Sequence, residues 1–224
     1  VTLLKIRTSV YKIQCLTIIK NNNDDALKHL AGSDSRFIKL IEKFGEPDFE
    51  PQDNYFKSLV RSIIYQQLSG KSAFAIYSRF LKLFPVNQFP SPNELLLISD
   101  QTYRDIGLSK QKAIYIKEIA KAFKSKTVQS DKLKEMTNDR IRSDLIKIKG
   151  IGPWTIDMFL MFTLNRPDIL PTGDLGIQKG YMVFFDIDFL PDKDYMIKNA
   201  EKWRPFRTVA CWYLWKLVDE DFQW

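Results

Sequence analysis

The sequence predicts an all-α protein, and three observations support that prediction. Apolar residues recur at helical spacing along most of the 224 residues. Side chains that cap helices stand just before many of these periodic runs. No alternating β-branched run is convincing, and the first twenty residues and VFFDIDF, at 183–189, are the only candidates for short extended pieces. The length suffices for one domain or for two small lobes that share a core.

The first half of the chain divides into helices at polar and glycine-containing breaks. The asparagines at 21–23 mark the start of the compact domain. Between Tyr55 and Leu68 the apolar residues fall on one helical face, and Asp53 is the predicted N-cap. A second run follows Ser69 and ends at Pro85, because proline cannot continue a helix.

Capping residues predict the helices of the second half. The segment SPNE, at 91–94, is a capping box with proline at the first helical position. The last helix is predicted to open at Arg204-Pro205 and to contain FRTVACWYLWKLV. Further N-caps are predicted at Ser99, Ser109, Thr137 and Asp192.

Charge and cysteine content narrow the classes of function. A net charge of +7 suits a polyanionic partner, although a basic protein without such a partner has the same balance. Cys15 and Cys211 are the only cysteines, which excludes a cysteine-based zinc site and a four-cysteine iron–sulfur cluster and is typical of a reduced, intracellular protein. The single histidine, His29, is expected on a helix surface. No apolar run is long enough to span a bilayer.

The segment LIKIKGIGPWTIDMFLMF, at 145–162, is the most informative part of the chain. Two glycines around Ile151 let the backbone turn tightly between two helices and leave N–H groups open to an anion. Lys147 and Lys149 flank this turn, and Thr155 offers a hydroxyl close to it. The pattern predicts a grip on a nucleic-acid backbone. An ordinary glycine C-cap before a helix that starts with proline has the same pattern.

An acid and a group of aromatic residues follow the turn. Asp174 stands after Pro-Thr-Gly and before an apolar run, which is typical of a helix N-cap and also places a carboxylate near the predicted phosphate grip. Most of the aromatic residues in the neighbouring helices are expected in the core, and some are expected to line a pocket for a flat, electron-poor ligand. The polar loop YQQLSGKSA, at 65–73, is either a plain connection or a segment that inserts into a base stack.

Taken together and in this order, these motifs resemble the helix-hairpin-helix-GPD DNA glycosylases, in particular the alkyladenine branch of the 3-methyladenine DNA glycosylase II type. The similarity runs from about Asp25 to Trp215 and includes ALKHLAGSDSRFIKLIEKFGEPDF, SLVRSIIYQQLSGKSA, IGLSKQKAIYIKEIA, the turn with its PTGD, and AEKWRPFRTVACWYLW. The resemblance implies a compact, two-lobed, all-α fold with the active-site cleft between the lobes. It implies a partly ordered N-terminal extension at 1–24 and a glycosylase domain at 25–224, with the hairpin at 145–155.

The resemblance also implies roles for individual residues. Asp174 falls on the catalytic aspartate, and Gln67 falls on the wedge that fills the gap left by a flipped nucleotide. The base pocket is expected to be lined by Trp154, Met158, Phe159 and Trp215. Further DNA contacts are expected from Leu68, Ser69, Lys71, Lys149, Gly150, Ile151, Gly152 and Thr155. The carbonyls of Ile146, Ile148 and Gly150 fall where an optional Na⁺ or K⁺ can bridge the turn and a phosphate, and no other cofactor is expected.

The chain departs from some members of the family in two ways. Trp154 stands where bifunctional members carry a lysine nucleophile, so neither a Schiff base nor strand cleavage is expected. The cysteines needed for an iron–sulfur cluster are missing. The resemblance therefore implies a monofunctional DNA glycosylase of base excision repair, which flips alkylated purines such as 3-methyladenine and 7-methylguanine and hydrolyses their glycosidic bond, leaving an abasic site.

Two other functions are compatible with the fold. The first is a damage- or abasic-DNA-binding paralogue with weak or no base excision. The second is a structural helix-hairpin-helix adaptor, which would need neither Asp174 nor the aromatic pocket. A nucleotide-hydrolysing enzyme is not expected, because no G-x-x-x-x-G-K-[ST] loop is present. The expected partner is double-stranded DNA with a damaged or abasic nucleotide, bound by a monomer that does not associate with membranes. The expected location is the nucleus, or the nucleoid and cytoplasm in a bacterium.

Overall fold

The structure is a computed structural model that describes residues 24–49, 52–86 and 88–220. The described residues form helices, turns and loops, and they contain no β-strand, as the sequence predicts. In chain order the helices are α1 (24–33), α2 (Arg36–Phe44), α3 (Tyr55–Tyr65), α4 (Gly70–Leu81), α5 (Pro92–Leu97), α6 (Asp100–Asp105), α7 (Lys110–Lys124), α8 (Asn138–Leu145), α9 (Pro153–Phe162), α10 (Leu175–Phe185), α11 (Lys193–Ala200), the 3₁₀ turn η1 (Glu201–Trp203) and α12 (Arg207–Val218).

The chain divides into two compact units. Of the described residues, unit 1 comprises 24–49 and 165–220, and unit 2 comprises 52–86 and 88–164. The predicted N-terminal extension, 1–24, lies outside the described residues except for its last position. Within the described part of the chain, no helix combines the length and the apolar character needed to cross a membrane.

The core of unit 2 is built around α3. This helix buries an apolar face and packs against α4, α7 and α9. The residues of that face are Tyr55, Phe56, Leu59, Val60, Ile63 and Ile64. Their burial confirms the predicted periodicity. Burial of this face also stabilises the helix in its tertiary context.

The core of unit 1 is aromatic. Trp203 is fully buried and lies edge-on to Phe37 and Phe184, with ring centroids at 5.4 and 5.6 Å. Its ring stacks on Phe185 at 6.0 Å. Helices α10 and α12 pack against each other along much of their length. This pairing positions the predicted catalytic acid, which stands at the start of α10.

Most of the predicted caps are confirmed. Ser91 and Glu94 form the reciprocal capping box. The side chains of the other confirmed caps accept a hydrogen bond from the third helical residue: Ser99, Ser109, Thr137 and Asp192. Ser69 caps α4 in the same way, although it is not among the caps predicted from the sequence. Such caps can be predicted because they depend on only four consecutive residues.

Three local predictions are wrong. The N-cap of α3 is Asn54, whose side chain accepts from Lys57 N at 2.9 Å, while the predicted cap Asp53 pairs with Lys134. The segment 183–189 is not extended: its first three residues finish α10, where burial of the ring of Phe184 stabilises the helix. The last helix starts at residue 207, since Phe206 N first closes a turn onto the carbonyl of residue 203 at 2.8 Å.

Candidate functional site

The predicted turn joins α8 to α9 in unit 2. Ile148 N donates to Leu145 O, and Ile151 N donates to Ile148 O, both over 3.0 Å. α9 begins at Pro153, and its N-cap is Gly152, which has no side chain to satisfy the first N–H groups of the helix. Uncapped N–H groups at a helix N-terminus favour a bound anion. The start of α9 therefore offers N–H groups of the kind that a phosphate grip needs, and phosphate binding at this turn stays a prediction.

Gly150 is required by its backbone and by its surroundings. Its φ angle is +97°, in the left-handed region that favours glycine. A Cβ atom at this position would lie 2.1 Å from Cγ of Tyr115 on α7. The turn is thus packed directly against a tyrosine ring, and no side chain fits between them.

The side chain of Gln66 holds the turn. Gln66 follows the last residue of α3, and its Nε2 donates to Gly150 O at 3.1 Å and to the hydroxyl of Thr155 at 2.9 Å. Because a carbonyl only accepts hydrogen bonds, the amide nitrogen of Gln66 must face Gly150. Thr155 is buried, so its hydroxyl serves this contact inside unit 2.

The side chain of Lys112 binds backbone carbonyls at the end of α3. Its Nζ donates to Ile64 O at 2.8 Å and to Gln66 O at 2.7 Å. A cation at a helix C-terminus is stabilised by carbonyls that lack helical partners. Burial lowers the pKa of the Lys112 ammonium, which is half-buried on α7. Its hydrogen bonds to two carbonyls compensate for the lost solvation.

The predicted DNA-contacting loop follows immediately. Gln67 is exposed and has a φ angle of +54°, a left-handed conformation that residues other than glycine adopt infrequently. Leu68 and Lys71 are exposed, and Ser69 caps α4. The loop therefore presents its polar side chains to solvent, and their roles in DNA contact remain predictions.

The predicted base-pocket residues of unit 2 lie on α9. Trp154 is half-buried, whereas Met158 and Phe159 are almost completely buried. The Phe159 ring lies edge-on to Tyr55, with centroids 6.0 Å apart. Of these three, Trp154 thus exposes the most surface, and Met158 and Phe159 are core residues of the helix in this structure.

The three carbonyls predicted to bind a cation belong to this turn. The carbonyl of Ile148 accepts from Ile151 N, and that of Gly150 accepts from Gln66. A carbonyl oxygen has two lone pairs, so each retains capacity for a second partner. Carbonyl oxygens are hard donors, which is the chemistry that Na⁺ and K⁺ require.

In unit 1, Asp174 is both a helix cap and a buried acid. It is the N-cap of α10, and its Oδ1 accepts from Ile177 N at 2.8 Å. The same oxygen accepts from Nε1 of Trp215 on α12 at 2.9 Å. Asp174 and Trp215 are both buried. Two hydrogen bonds on one oxygen fix the orientation of the whole carboxylate, so the helix-cap and functional interpretations of Asp174 are compatible.

Two glycines on α10 allow this contact. A Cβ atom on Gly176 would lie 2.9 Å from Cδ1 of Trp215 and 3.0 Å from Oδ1 of Asp174. A Cβ atom on Gly180 would lie 2.5 Å from the carbonyl oxygen of Leu214. The absence of side chains lets α12 approach α10 closely enough for the indole to reach the acid.

The positive charge of the chain is concentrated in unit 2. Residues 52–164 contain 18 lysines and arginines and 10 aspartates and glutamates, whereas the other residues contain 16 and 17. The unit that carries the turn is therefore the one suited to a polyanion.

Sequence reasoning missed three residues that organise these sites. Gln66 lies within the polar loop at 65–73, and Gly176 lies in the apolar run after Asp174, so neither stands out from its neighbours. Lys112 stands among many surface lysines. The available signals were weak: a glycine two residues after the acid, and a glutamine at the helix end.

Comparison with known proteins identifies the family. A family model described as HhH-GPD superfamily base excision DNA repair protein matches residues 60–205. DNA-3-methyladenine glycosylase 1 of Schizosaccharomyces pombe is 36% identical over 192 residues, 84% of each chain. An alkylbase DNA glycosidase-like protein of the same yeast is 31% identical over 196 residues, 86% of this chain and 92% of the relative.

A solved structure has the same fold. It is the S. pombe 3-methyladenine DNA glycosylase in complex with abasic DNA, with a TM-score of 0.82 and 35% identity over 89% of this chain and all of that one. An acid caps α10, and a glycine turn joins α8 to α9. Because the family model and relatives of this identity and coverage also match, the chain belongs to the HhH-GPD superfamily of base excision DNA repair proteins.

Proposed function

We propose that this protein is a DNA glycosylase that hydrolyses the N-glycosidic bond of alkylated purines, such as 3-methyladenine and 7-methylguanine, in duplex DNA. The observation that supports this most directly is the buried carboxylate of Asp174, held by Ile177 N and Trp215 Nε1. The 36% identity to a DNA-3-methyladenine glycosylase supports the same reaction and substrate class.

The chemistry needs one well-oriented acid. A purine alkylated at N3 or N7 is positively charged, so its glycosidic bond is already weakened and it leaves as a neutral base. Positive charge then develops on the sugar. A fixed carboxylate stabilises that charge electrostatically and can orient the attacking water. Asp174 supplies this group without a second carboxylate, unlike the paired acids of most glycosidases.

The other half of the task is to hold and open the duplex. The N–H groups at the start of α9 and the exposed Lys149 are suited to bind backbone phosphates. Gln67 is proposed as the wedge that replaces the flipped nucleotide. Flipping costs a few kcal/mol, and less for a damaged pair, which favours damaged sites.

We also propose that the enzyme is monofunctional. Trp154 has no amine and cannot form a Schiff base with the sugar. The carbonyls of Ile146, Ile148 and Gly150 are proposed as an optional site for Na⁺ or K⁺, which would add positive charge between the turn and a phosphate. The nucleus is the proposed location in a eukaryote, and the nucleoid and cytoplasm in a bacterium.

The second candidate is a protein that binds damaged or abasic DNA with little or no excision. A relative that is named only glycosidase-like, 31% identical over almost its full length, favours this alternative. The distinction depends on how well the base is flipped and oriented.

A panel of duplexes, each with one damaged base, tests the proposal. We expect free base to be released from duplexes containing 3-methyladenine or 7-methylguanine, with intact strands until alkaline treatment and no borohydride-trapped complex. Tight binding to the same duplexes without release would favour the second candidate. A borohydride-trapped complex would contradict the monofunctional assignment.

A further inference from the structure

Gln66 contacts two parts of unit 2 that have separate roles in the proposed function. Its side chain contacts the turn between α8 and α9, through Gly150 O and the Thr155 hydroxyl. Its backbone leads directly into Gln67, the proposed wedge. One residue therefore joins the proposed phosphate grip to the proposed wedge within unit 2.

The backbone on which the wedge stands is held in a defined conformation. Gln66 has φ −52° and ψ 131°, and Gln67 has φ +54°. These angles are close to the two central residues of a type II turn, where glycine is favoured at the second position. A non-glycine residue is strained there, and such a conformation persists only when its surroundings determine it.

The surroundings of this turn meet that condition. Lys112 Nζ binds the carbonyls of Ile64 and Gln66. The side-chain amide of Gln66 binds the carbonyl of Gly150 in the turn between α8 and α9. Lys112 on α7 thus fixes the main chain of Gln66, and the turn between α8 and α9 fixes its side chain. A loop that served only as a connection would need neither contact.

We propose that Gln66 is a positioning residue that sets the wedge, Gln67, at a fixed place relative to the helix-hairpin-helix turn. Lys112 supports it by holding the carbonyl end of α3. When the turn binds a backbone phosphate, Gln67 then meets the base stack at a defined distance from that phosphate. The inference rests on the proposed function for its assignment of the wedge and of the phosphate grip.

The first test measures insertion and does not depend on catalysis. The probe is a duplex with a tetrahydrofuran abasic analogue beside 2-aminopurine, whose fluorescence rises when the neighbouring stack is opened. The variant Gln66→Met keeps the length of the side chain and removes its donors. At saturating protein, we expect Gln66→Met to reduce the fluorescence rise to the level of Gln67→Ala. The double variant should show no further loss, because residues that act through one another are not additive.

The second test measures base release in single turnover and compares the rates of the same variant on two duplexes. For 7-methylguanine opposite cytosine we expect Gln66→Met to slow release by about tenfold, and opposite an abasic site by less than about threefold, because an unpaired base needs less help to flip. The ratio between the two duplexes is independent of the folded fraction. Thr155→Val, which removes one acceptor and keeps the shape, should show the same trend more weakly.

The outcomes separate this inference from the proposed function. A wild-type fluorescence rise with Gln66→Met, or losses that multiply in the double variant, would overturn the positioning role. So would equal slowing of release in the two duplexes. If the wild-type protein releases no base at all, excision is refuted, and the fluorescence test still decides the role of Gln66.

Discussion

The indole nitrogen of Trp215 donates a hydrogen bond to Oδ1 of Asp174 over 2.9 Å, although the two residues belong to different helices. The contact gives Trp215 a second role beside the base pocket predicted from its position. It makes the orientation of the acid depend on the packing of α12 against α10. The carboxylate is thereby set in place before DNA binds, and preorganisation of this kind is the main source of electrostatic catalysis.

Replacement of Asp174 by asparagine is expected to abolish most of the activity and to preserve the fold. The amide oxygen of asparagine still accepts from Ile177 N and Trp215, and asparagine is as good an N-cap as aspartate. Base release in single turnover should fall by at least ~10², the usual effect of losing one preorganised electrostatic group. Affinity for duplex DNA should not decrease. Release near the wild-type rate would refute the assignment of Asp174.

The variant Trp215→Phe isolates the indole hydrogen bond. It keeps an aromatic ring and removes the donor, and we expect release to slow by at least about tenfold, since a hydrogen bond to a charged group contributes about 1.5–3 kcal/mol. Gly176→Ala should have a similar effect, because the new methyl group would overlap Trp215. Gly173→Ala is the matched control, since a Cβ atom there meets nothing within 4 Å. Equal rates for the two glycine variants would contradict this explanation.

Alanine at Gly150 is expected to destabilise the turn. A side chain at φ +97° that also overlaps Tyr115 should lower the free energy of unfolding by at least about 2 kcal/mol. Gly152→Ala provides the comparison, since no atom lies within 4 Å of its Cβ position, and we expect a loss below about 1 kcal/mol. Urea denaturation measures both values. A Gly150 variant as stable as the Gly152 variant would show that the packing is looser than described.

Lys149 is expected to contribute one phosphate contact. Substitution by glutamine should weaken binding to damaged and undamaged duplexes alike and reduce the slope of log Kd against log salt by about 1. Lys39→Gln changes the net charge equally, on an exposed part of α2 in unit 1, and should leave the slope unchanged. Titrations from low to moderate salt distinguish them. An unchanged slope for the Lys149 variant would exclude the residue from the contact surface.

Asp34 is expected to make the stability of the protein depend on acid pH. Burial alone would raise the pKa of Asp34, but hydrogen bonds from Arg36 and Lys202 outweigh it and lower the pKa from 3.8 to about 2. A carboxyl group whose pKa is lower in the folded state stabilises that state at pH values above its pKa in the unfolded chain. This contribution is lost as the pH falls through about 2.

Thermal unfolding of Asp34→Asn checks that assignment. The variant should be less stable than wild type near neutral pH, and the difference in Tm should shrink as the pH falls below about 4, since Asp34 is then increasingly protonated in the unfolded chain. A difference in Tm that stays constant over this range would show that the ion pairs with Arg36 and Lys202 do not stabilise the fold.

Local features of the sequence were enough to predict most of the helices. Ser91 and Asp192 cap their helices as expected, because capping depends on a few consecutive residues. One of the errors has a local cause, and another has a tertiary cause. Asp53 and Asn54 are both good caps, and periodicity does not choose between neighbours. The segment after Val183 has β-branched and aromatic character, but tertiary burial of Phe184 keeps it helical.

The all-α class, the family, the glycine turn and Asp174 as the candidate acid could all be predicted from the amino-acid sequence, since they depend on short motifs in a fixed order. Only the tertiary structure revealed that Trp215 holds Asp174 and that Gln66 holds the turn. These contacts join residues 41, 84 and 89 positions apart, and a hydrogen bond over that separation leaves no periodic or local signature in the chain. The packing of α12 on α10 and of α3 on α9 brings these partners together.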